Sequence, residues 1–330
     1  MSALKPRESQ GSSPIPALDL RSAAVPKLEI LLRKSLALRL AGLGTPDAST
    51  TRCESDSSKL AILFSGGLDC TVLARLAHDI LPGSESIDLL NVAFENPRIH
   101  AKSTVKSPYE ACPDRITGKA SFAELRHVCP NRLWRFVEIN VPYTETIAHR
   151  DTIVSLIHPH NTEMDLSIAM ALYFASRGIG VTRSPPEGSP IGYTTSARVL
   201  LSGLGADELF AGYQRHATAF SRHGFQGLID ELQLDVSRLG KRNLGRDDRV
   251  LSHWSRETRF PYLDEEVVAW AMEAPIWEKT GFGSEIGIED GANENGDDIE
   301  PGKKVLRLVA LILNMKNAAR EKKRAVRLQL

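Results

Sequence analysis

The 330 residues carry 41 Lys plus Arg against 41 Asp plus Glu, with 42% hydrophobic and 25% charged residues. That balance fits a globular chain of one large or two small domains and gives no support to a nucleic-acid-binding surface. The four cysteines, Cys53, Cys70, Cys112 and Cys129, form no C-x-x-C pair. Zinc and disulfide frameworks are therefore disfavoured, and a reducing compartment, the cytoplasm, is expected. Met1–Gln10 lacks the apolar core of a signal peptide, and no apolar run approaches the ~18 residues of a membrane span.

In chain order, residues 1–25 are rich in Ser, Pro and Ala and read as poorly ordered. Val25–Gly42 has helical periodicity, with Leu28, Leu31, Leu32 and Leu36 on one side. Residues 45–58 read as a linker, so residues 1–58 form a flexible segment with one helix. Ile62-Leu63-Phe64-Ser65-Gly66-Gly67-Leu68-Asp69-Cys70-Thr71 then predicts a buried strand, a glycine turn and a helix running to about Leu81. The unpaired N–H groups of that helix's first turn, with its dipole, make an anion site. Asp69 is placed to hold the Mg²⁺ of a phosphate chain.

Ile87–Phe94 is the second strand, giving a parallel βαβ unit. A loop over 95–113, a short helix over Ser121–Val128 and a third strand over Leu133–Asn140 follow. Helices are expected at 143–157 and 164–178, and a loop at 181–196. Arg198–Gly203 is the fourth strand and ends, like the first, in Ser-Gly. From Ala219 the pattern is helical, interrupted at 281–302 by seven acidic residues and no basic one, which read as a solvated insert. The alternation implies an α/β fold, a doubly wound parallel sheet with a helical C-terminal part. Ligands of such sheets sit at the carboxyl ends of the strands, which places both Ser-Gly turns on one edge.

The second turn reads Leu201-Ser202-Gly203-Leu204-Gly205-Ala206-Asp207-Glu208-Leu209-Phe210-Ala211-Gly212-Tyr213. Asp207 or Glu208 alone would suit simple dipole complementation. Two such loops on one sheet edge suggest a shared clamp for pyrophosphate and its metal. Elsewhere, His158-Pro159-His160 lacks a metal-ligand pattern. Asp247-Asp248, flanked by Arg246 and Arg249, reads as an ion-pair cluster with some claim to a site role. Glu257 and Arg259 read as structural support, and Asp114 as a further site candidate.

The first loop resembles the Ser-Gly-Gly-x-Asp-Ser pyrophosphate loop of N-type ATP pyrophosphatases. Together the two loops resemble the synthetase domain of asparagine synthetases, whose loops read Ser-Gly-Gly-Leu-Asp-Ser and Ser-Gly-Glu-Gly-Ser-Asp-Glu-Leu-Phe-Gly-Gly-Tyr. Glu257-Thr258-Arg259-Phe260-Pro261-Tyr262-Leu263-Asp264 is similar to that family's Glu-Ala-Arg-x-Pro-Phe-Leu-Asp. Residues 113–118, 174–180 and 242–249 look like the subgroup of asparagine synthetase domain-containing proteins. The resemblance implies an adenine nucleotide α-hydrolase-like domain over 59–327, with 281–302 as an insert. It also implies ATP bound near Leu63, Ala93, Ser202 and Gly203, with pyrophosphate cradled by Ser65, Gly66, Gly67, Cys70 and Thr71. Mg²⁺ would sit on Asp69 and Asp207. Aspartate would be adenylated and then aminated by ammonia or by glutamine through a separate domain. A lysine near the C-terminus would neutralise phosphate charge, with Lys304 and the Lys322-Lys323-Arg324 cluster, Lys323 foremost, as candidates. The chain departs from the family pattern at Cys70, Leu204, Ala206 and Ala211. It also begins Met-Ser-Ala, so no glutaminase domain with an N-terminal cysteine nucleophile is expected.

Overall fold

Short Leu/Ile/Val-rich runs separated by helical segments suit strands buried on both faces of a sheet. A computed structural model describes residues 17–43, 57–97, 107–183, 188–283 and 299–322. Its strands are β1 Leu60–Leu63, β2 Ile87–Phe94, β3 Trp134–Val141, β4 Ile179–Thr182, β5 Ile191–Thr194, β6 Val199–Leu201 and β7 Glu257–Arg259. They form one sheet in the order β5-β4-β3-β2-β1-β6-β7. β3, β2, β1, β6 and β7 run parallel, while β4 and β5 are an antiparallel hairpin on the β3 edge.

The sheet is thus mixed and dominated by parallel strands, rather than parallel throughout. The expected loop at 181–196 overlaps the β4–β5 hairpin. Its anchor is the carboxylate of Asp88, fully buried in β2, which accepts hydrogen bonds from Tyr193 Oη (2.9 Å) and Thr195 Oγ1 (2.5 Å). A partner so far along the chain leaves no local signal. The region expected to be helical after Ala219 also holds β7, three residues long and recruited by pairing with β6. The short helix expected at 121–128 begins at Pro113 instead, where the fixed proline φ suits a first turn.

The helices are α1 Ala24–Leu40, α2 Leu68–Ile80, α3 Pro113–Val128, α4 Tyr143–Ile157, α5 Glu163–Arg177, α6 Ala206–Phe210, α7 Gln214–Leu239, α8 Gly245–Ser252, α9 Glu265–Glu273, α10 Lys304–Ile312 and α11 Lys316–Arg320. One core joins Leu28, Leu32 and Leu36 of α1 to Leu73 and Leu76 of α2 and Leu308 and Val309 of α10, over Leu60 and Ile62 of β1. A second core packs Ile153, Met170 and Val250, from α4, α5 and α8, against Val137 and Ile139 of β3 and Leu200 of β6. None of the described helices is long and apolar enough to cross a membrane.

β1 lies between β2 and β6, with Leu60 opposite both Ile87 and Val199. The chain leaves β1 toward β2 and β3 on one side and returns through β6 on the other. The crevice at this switch point is where open α/β sheets take ligands. The turn after β1 is shaped by Gly66, whose φ of +84° is left-handed and whose missing Cβ lets it lie against the backbone of Gly118 in α3. A Cβ there would stand 2.4 Å from Gly118 N. Gly66→Ala should therefore lower unfolding free energy by roughly 2–4 kcal/mol in urea titration, from overpacking plus left-handed strain. Gly83→Ala, with nothing within 4 Å of the added methyl, should change it by less than about 0.5 kcal/mol.

Candidate functional site

Three segments meet at the carboxyl edge of β1 and β6. The first is the turn Ser65–Gly67 leading into α2, whose first turn carries Asp69. The second is the turn Ser202–Gly205 leading into α6, whose first turn carries Asp207 and Glu208. These two touch: a Cβ on Gly203 would lie 2.9 Å from Asp69 Cβ. The third segment is Glu300–Lys303, at the start of α10. A cleft between them is lined by Ser65, Gly67, Asp69, Asp114, Lys303 and Arg307, among others.

At its centre is an ammonium group. Lys303 Nζ stands 2.8 and 2.7 Å from the two carboxylate oxygens of Asp69 and 2.7 Å from Asp207 Oδ1. The Lys303 side chain is 4% exposed. Burial alone would lower its pKa, but the carboxylates of Asp207 and Asp69 outweigh that and hold it above the ordinary lysine value. Gly212, after α6, leaves room for the pair: a Cβ there would lie 1.9 Å from Asp207 Oδ1 and 2.1 Å from Lys303 Cε. Arg307, one turn into α10, is buried and pins the segment, donating from Nε to Gly302 O (3.0 Å) and from Nη2 to Glu300 Oε2 (2.9 Å). Its Nη1 donates to the carbonyls of Ala319 (2.8 Å) and Glu321 (2.7 Å) beyond α10.

The sequence-predicted residues divide into groups. Ser65, Gly67 and Asp69 line the cleft, and Asp207 joins them through Lys303. Cys70 and Thr71 are buried and fasten the turn from beneath. Cys70 Sγ donates to Gly67 O (3.3 Å), and Thr71 Oγ1 donates to Gly66 O (3.4 Å). Burial pushes the Cys70 thiol pKa up. Ser202 Oγ accepts from Leu204 N (3.3 Å) and shapes the second turn. Leu63 ends β1, and Ala93 is buried near the end of β2.

The lysine between the aspartates is Lys303, whereas the expected candidates were Lys304 and the Lys322-Lys323-Arg324 cluster, of which Lys322 lines the cleft. Lys304 opens α10 half-buried, with its side chain along Gly281. Lys304 and Lys303 are adjacent in sequence, but Lys303 has left-handed φ/ψ of 57° and 27° ahead of the helix, so helical periodicity does not describe its direction. Lys323 lies outside the described residues, as do residues 284–298 of the acidic insert. The insert's last residues are more than solvated, since Glu300 and Gly302 line the cleft. Asp247 is buried against Arg246, which also reaches Asp165 at 2.6 Å, an ion-pair cluster between α8 and α5 that does not line the cleft. Arg259 Nε donates to the Glu257 carboxylate (2.8 Å) and Nη1 donates to Arg39 O, contacts that support the fold.

Besides Lys303, two further contributors were missed. Tyr262, fully buried after β7, donates its hydroxyl to Asp69 O (3.0 Å) and so holds the first loop from behind. Its signal lies in the Arg-Phe-Pro-Tyr-Leu-Asp motif, although the motif alone does not say which loop it reaches. Glu208 is buried beside Asp207. Its Oε1 accepts from Tyr213 Oη (2.6 Å) and Asn243 Nδ2 (3.1 Å), and its Oε2 has no hydrogen-bond partner among the described residues. Burial raises its pKa.

Carboxylates from two loops converge on one ammonium beside the N-terminus of α2, and oxygen donors of this kind suit a hard divalent ion. Among the described residues no cluster of three or more His, Cys, Asp or Glu could hold a metal by itself. Fold and site together define an α/β protein with a charged crevice at the switch point of its sheet.

The asparagine synthase family model matches residues 168–231 and 224–325. Human asparagine synthetase domain-containing protein 1 is 39% identical over 339 residues, covering 94% of this chain and 50% of that protein. Its bovine counterpart is 40% identical, covering 82% and 44%. The Saccharomyces cerevisiae asparagine synthetase domain-containing protein is 41% identical, covering 67% and 41%. The chain belongs to the asparagine synthetase family, through its synthetase domain. It spans about half the length of the curated relatives it matches.

The buried Glu208 gives a pH dependence with a definite sign. A raised folded-state pKa means the native protein holds a proton that the unfolded chain releases near pH 4.5. Stability therefore falls as pH rises through that window. Wild-type unfolding free energy should drop relative to Glu208→Gln between pH 4.5 and neutrality, measured by denaturant titration at stepped pH. Parallel curves would show that the Glu208 pKa is the same in the folded and unfolded chain.

Proposed function

We propose that this chain is an ATP-dependent amide ligase of the asparagine synthetase type, built on an adenine nucleotide α-hydrolase-like fold. The observation that carries the reading is the convergence of Asp69 and Asp207, from the two Ser-Gly loops, at one point of the switch crevice. ATP lies across the carboxyl ends of β1, β2 and β6, its adenine toward Leu63, Ala93 and Ser202–Gly203. Ser65, Gly66, Gly67 and the first-turn N–H groups of α2 take the β- and γ-phosphates. Asp69 and Asp207 are the residues that hold Mg²⁺, which when bound neutralises the phosphate charge. Lys303 and Arg307 add positive charge in a buried setting, where it acts with little screening.

The acceptor is the side-chain carboxylate of aspartate. Its oxygen attacks the α-phosphorus, the bond to the bridging oxygen breaks, and pyrophosphate leaves with the electron pair. Ammonia, free or delivered by a separate glutaminase domain, then attacks the acyl carbon of the aspartyl-adenylate. AMP departs, a proton is lost to solvent, and asparagine results. The chain's share of this work is positioning and charge stabilisation.

A second reading rests on one feature. Leu204 stands where the family's second loop has glutamate, and it can neither pair with a cation nor accept a proton. On that reading the chain binds ATP without aspartate-dependent turnover and acts through partners. ATP–pyrophosphate exchange separates the two. Aspartate- and Mg²⁺-dependent exchange in the wild type, reduced on the order of 10²-fold or more in Asp69→Ala, supports the ligase. ATP binding without such exchange supports the binding module.

A further inference from the structure

The position of Lys303 carries a consequence for how metal reaches the two aspartates. All three carboxylate oxygens that its ammonium contacts, at 2.7–2.8 Å, are oxygens a divalent ion would need. An ammonium at those distances and a Mg²⁺ at ~2.1 Å from the same oxygens cannot share the space. The arrangement is also firmly built. Lys303 N donates to Phe210 O at the end of α6 (2.8 Å), Arg307 fixes the preceding carbonyl, and the left-handed backbone aims the side chain inward. Gly212 makes room for the lysine stem beside Asp207.

A metal entering alone would have to expel a buried ammonium into a cleft where Arg307 is the other buried cation. The displaced charge would lose its partners and face a dication, a strongly unfavourable exchange. A polyphosphate changes the balance, because its oxygens accept from the displaced ammonium and complete the metal's shell. We propose that Lys303 excludes free divalent metal from the Asp69–Asp207 pair, so that metal and polyphosphate enter as one unit. The inference rests on the reading of that pair as the metal site of a nucleotide clamp. It assigns Lys303 a positioning role that operates before any chemistry.

The test uses Mn²⁺ as probe, followed by electron paramagnetic resonance and thermal melting of the full chain, with and without inorganic pyrophosphate. In the wild type, millimolar Mn²⁺ alone should neither bind at this pair nor raise the melting temperature, and adding pyrophosphate should recruit one Mn²⁺. In Lys303→Met, two part-buried carboxylates lack their cation. Mn²⁺ alone should bind on the order of tenfold tighter than to wild type, or more, and should raise the melting temperature. Lys303→Gln should behave alike, which guards against a folding defect specific to methionine. Adding Asp69→Asn to Lys303→Met should abolish the gain. Wild type binding Mn²⁺ alone as tightly as Lys303→Met would overturn the proposal while leaving the metal-site reading intact. No Mn²⁺ on any variant, even with pyrophosphate or ATP, would overturn that reading as well.

Discussion

The charge interaction of Lys303 with Asp69 and Asp207 is the point on which the site depends. It ties together the start of α2, the start of α6 and the entry to α10, which are far apart in sequence. Two carboxylates facing each other across a crevice repel, and burial strengthens the repulsion by removing water. A buried ammonium touching both removes that penalty and sets the spacing of the two loops. The surrounding sequence follows from this need: no side chain at Gly212, a left-handed residue at 303, and a buried arginine four residues later to hold the turn.

The crevice itself is a product of topology. Parallel pairing of β1 with both β2 and β6 brings the two Ser-Gly turns side by side. β7 then adds a second layer of support. Arg259 O accepts from Ser202 N (3.0 Å), and Tyr262 reaches the carbonyl of Asp69, so one short segment braces both loops. Both loops are thus tied to the sheet edge by hydrogen bonds.

Much of this could be read from the chain. The first three strands and the helix after the first were legible because period and punctuation agreed: apolar runs ended by Gly and Ser, then helical spacing. Both turns and both aspartates were legible for the same reason. The β4–β5 hairpin was not, because its anchor, Asp88, lies about a hundred residues upstream of its partners. Lys303 was missed because it precedes its helix in a left-handed conformation, beside an acidic segment whose composition suggests only solvation. The burial of Glu208 was hidden too, since one of its partners, Asn243, lies 35 residues along the chain. Residues whose placement depends on long-range contacts are the ones that local pattern cannot supply.

The proposed clamp rests on the convergence of Asp69, Asp207 and Lys303. The central claim, that Asp69 and Asp207 form one cation site traded between Lys303 and a phosphate-bound metal, is tested most directly by a crystal structure with Mn²⁺ and a non-hydrolysable ATP analogue. The anomalous peak should fall at roughly 2.1–2.2 Å from carboxylate oxygens of both aspartates, with Lys303 Nζ moved onto a phosphate oxygen. A metal bound elsewhere, with Lys303 still between the two carboxylates, would contradict the account.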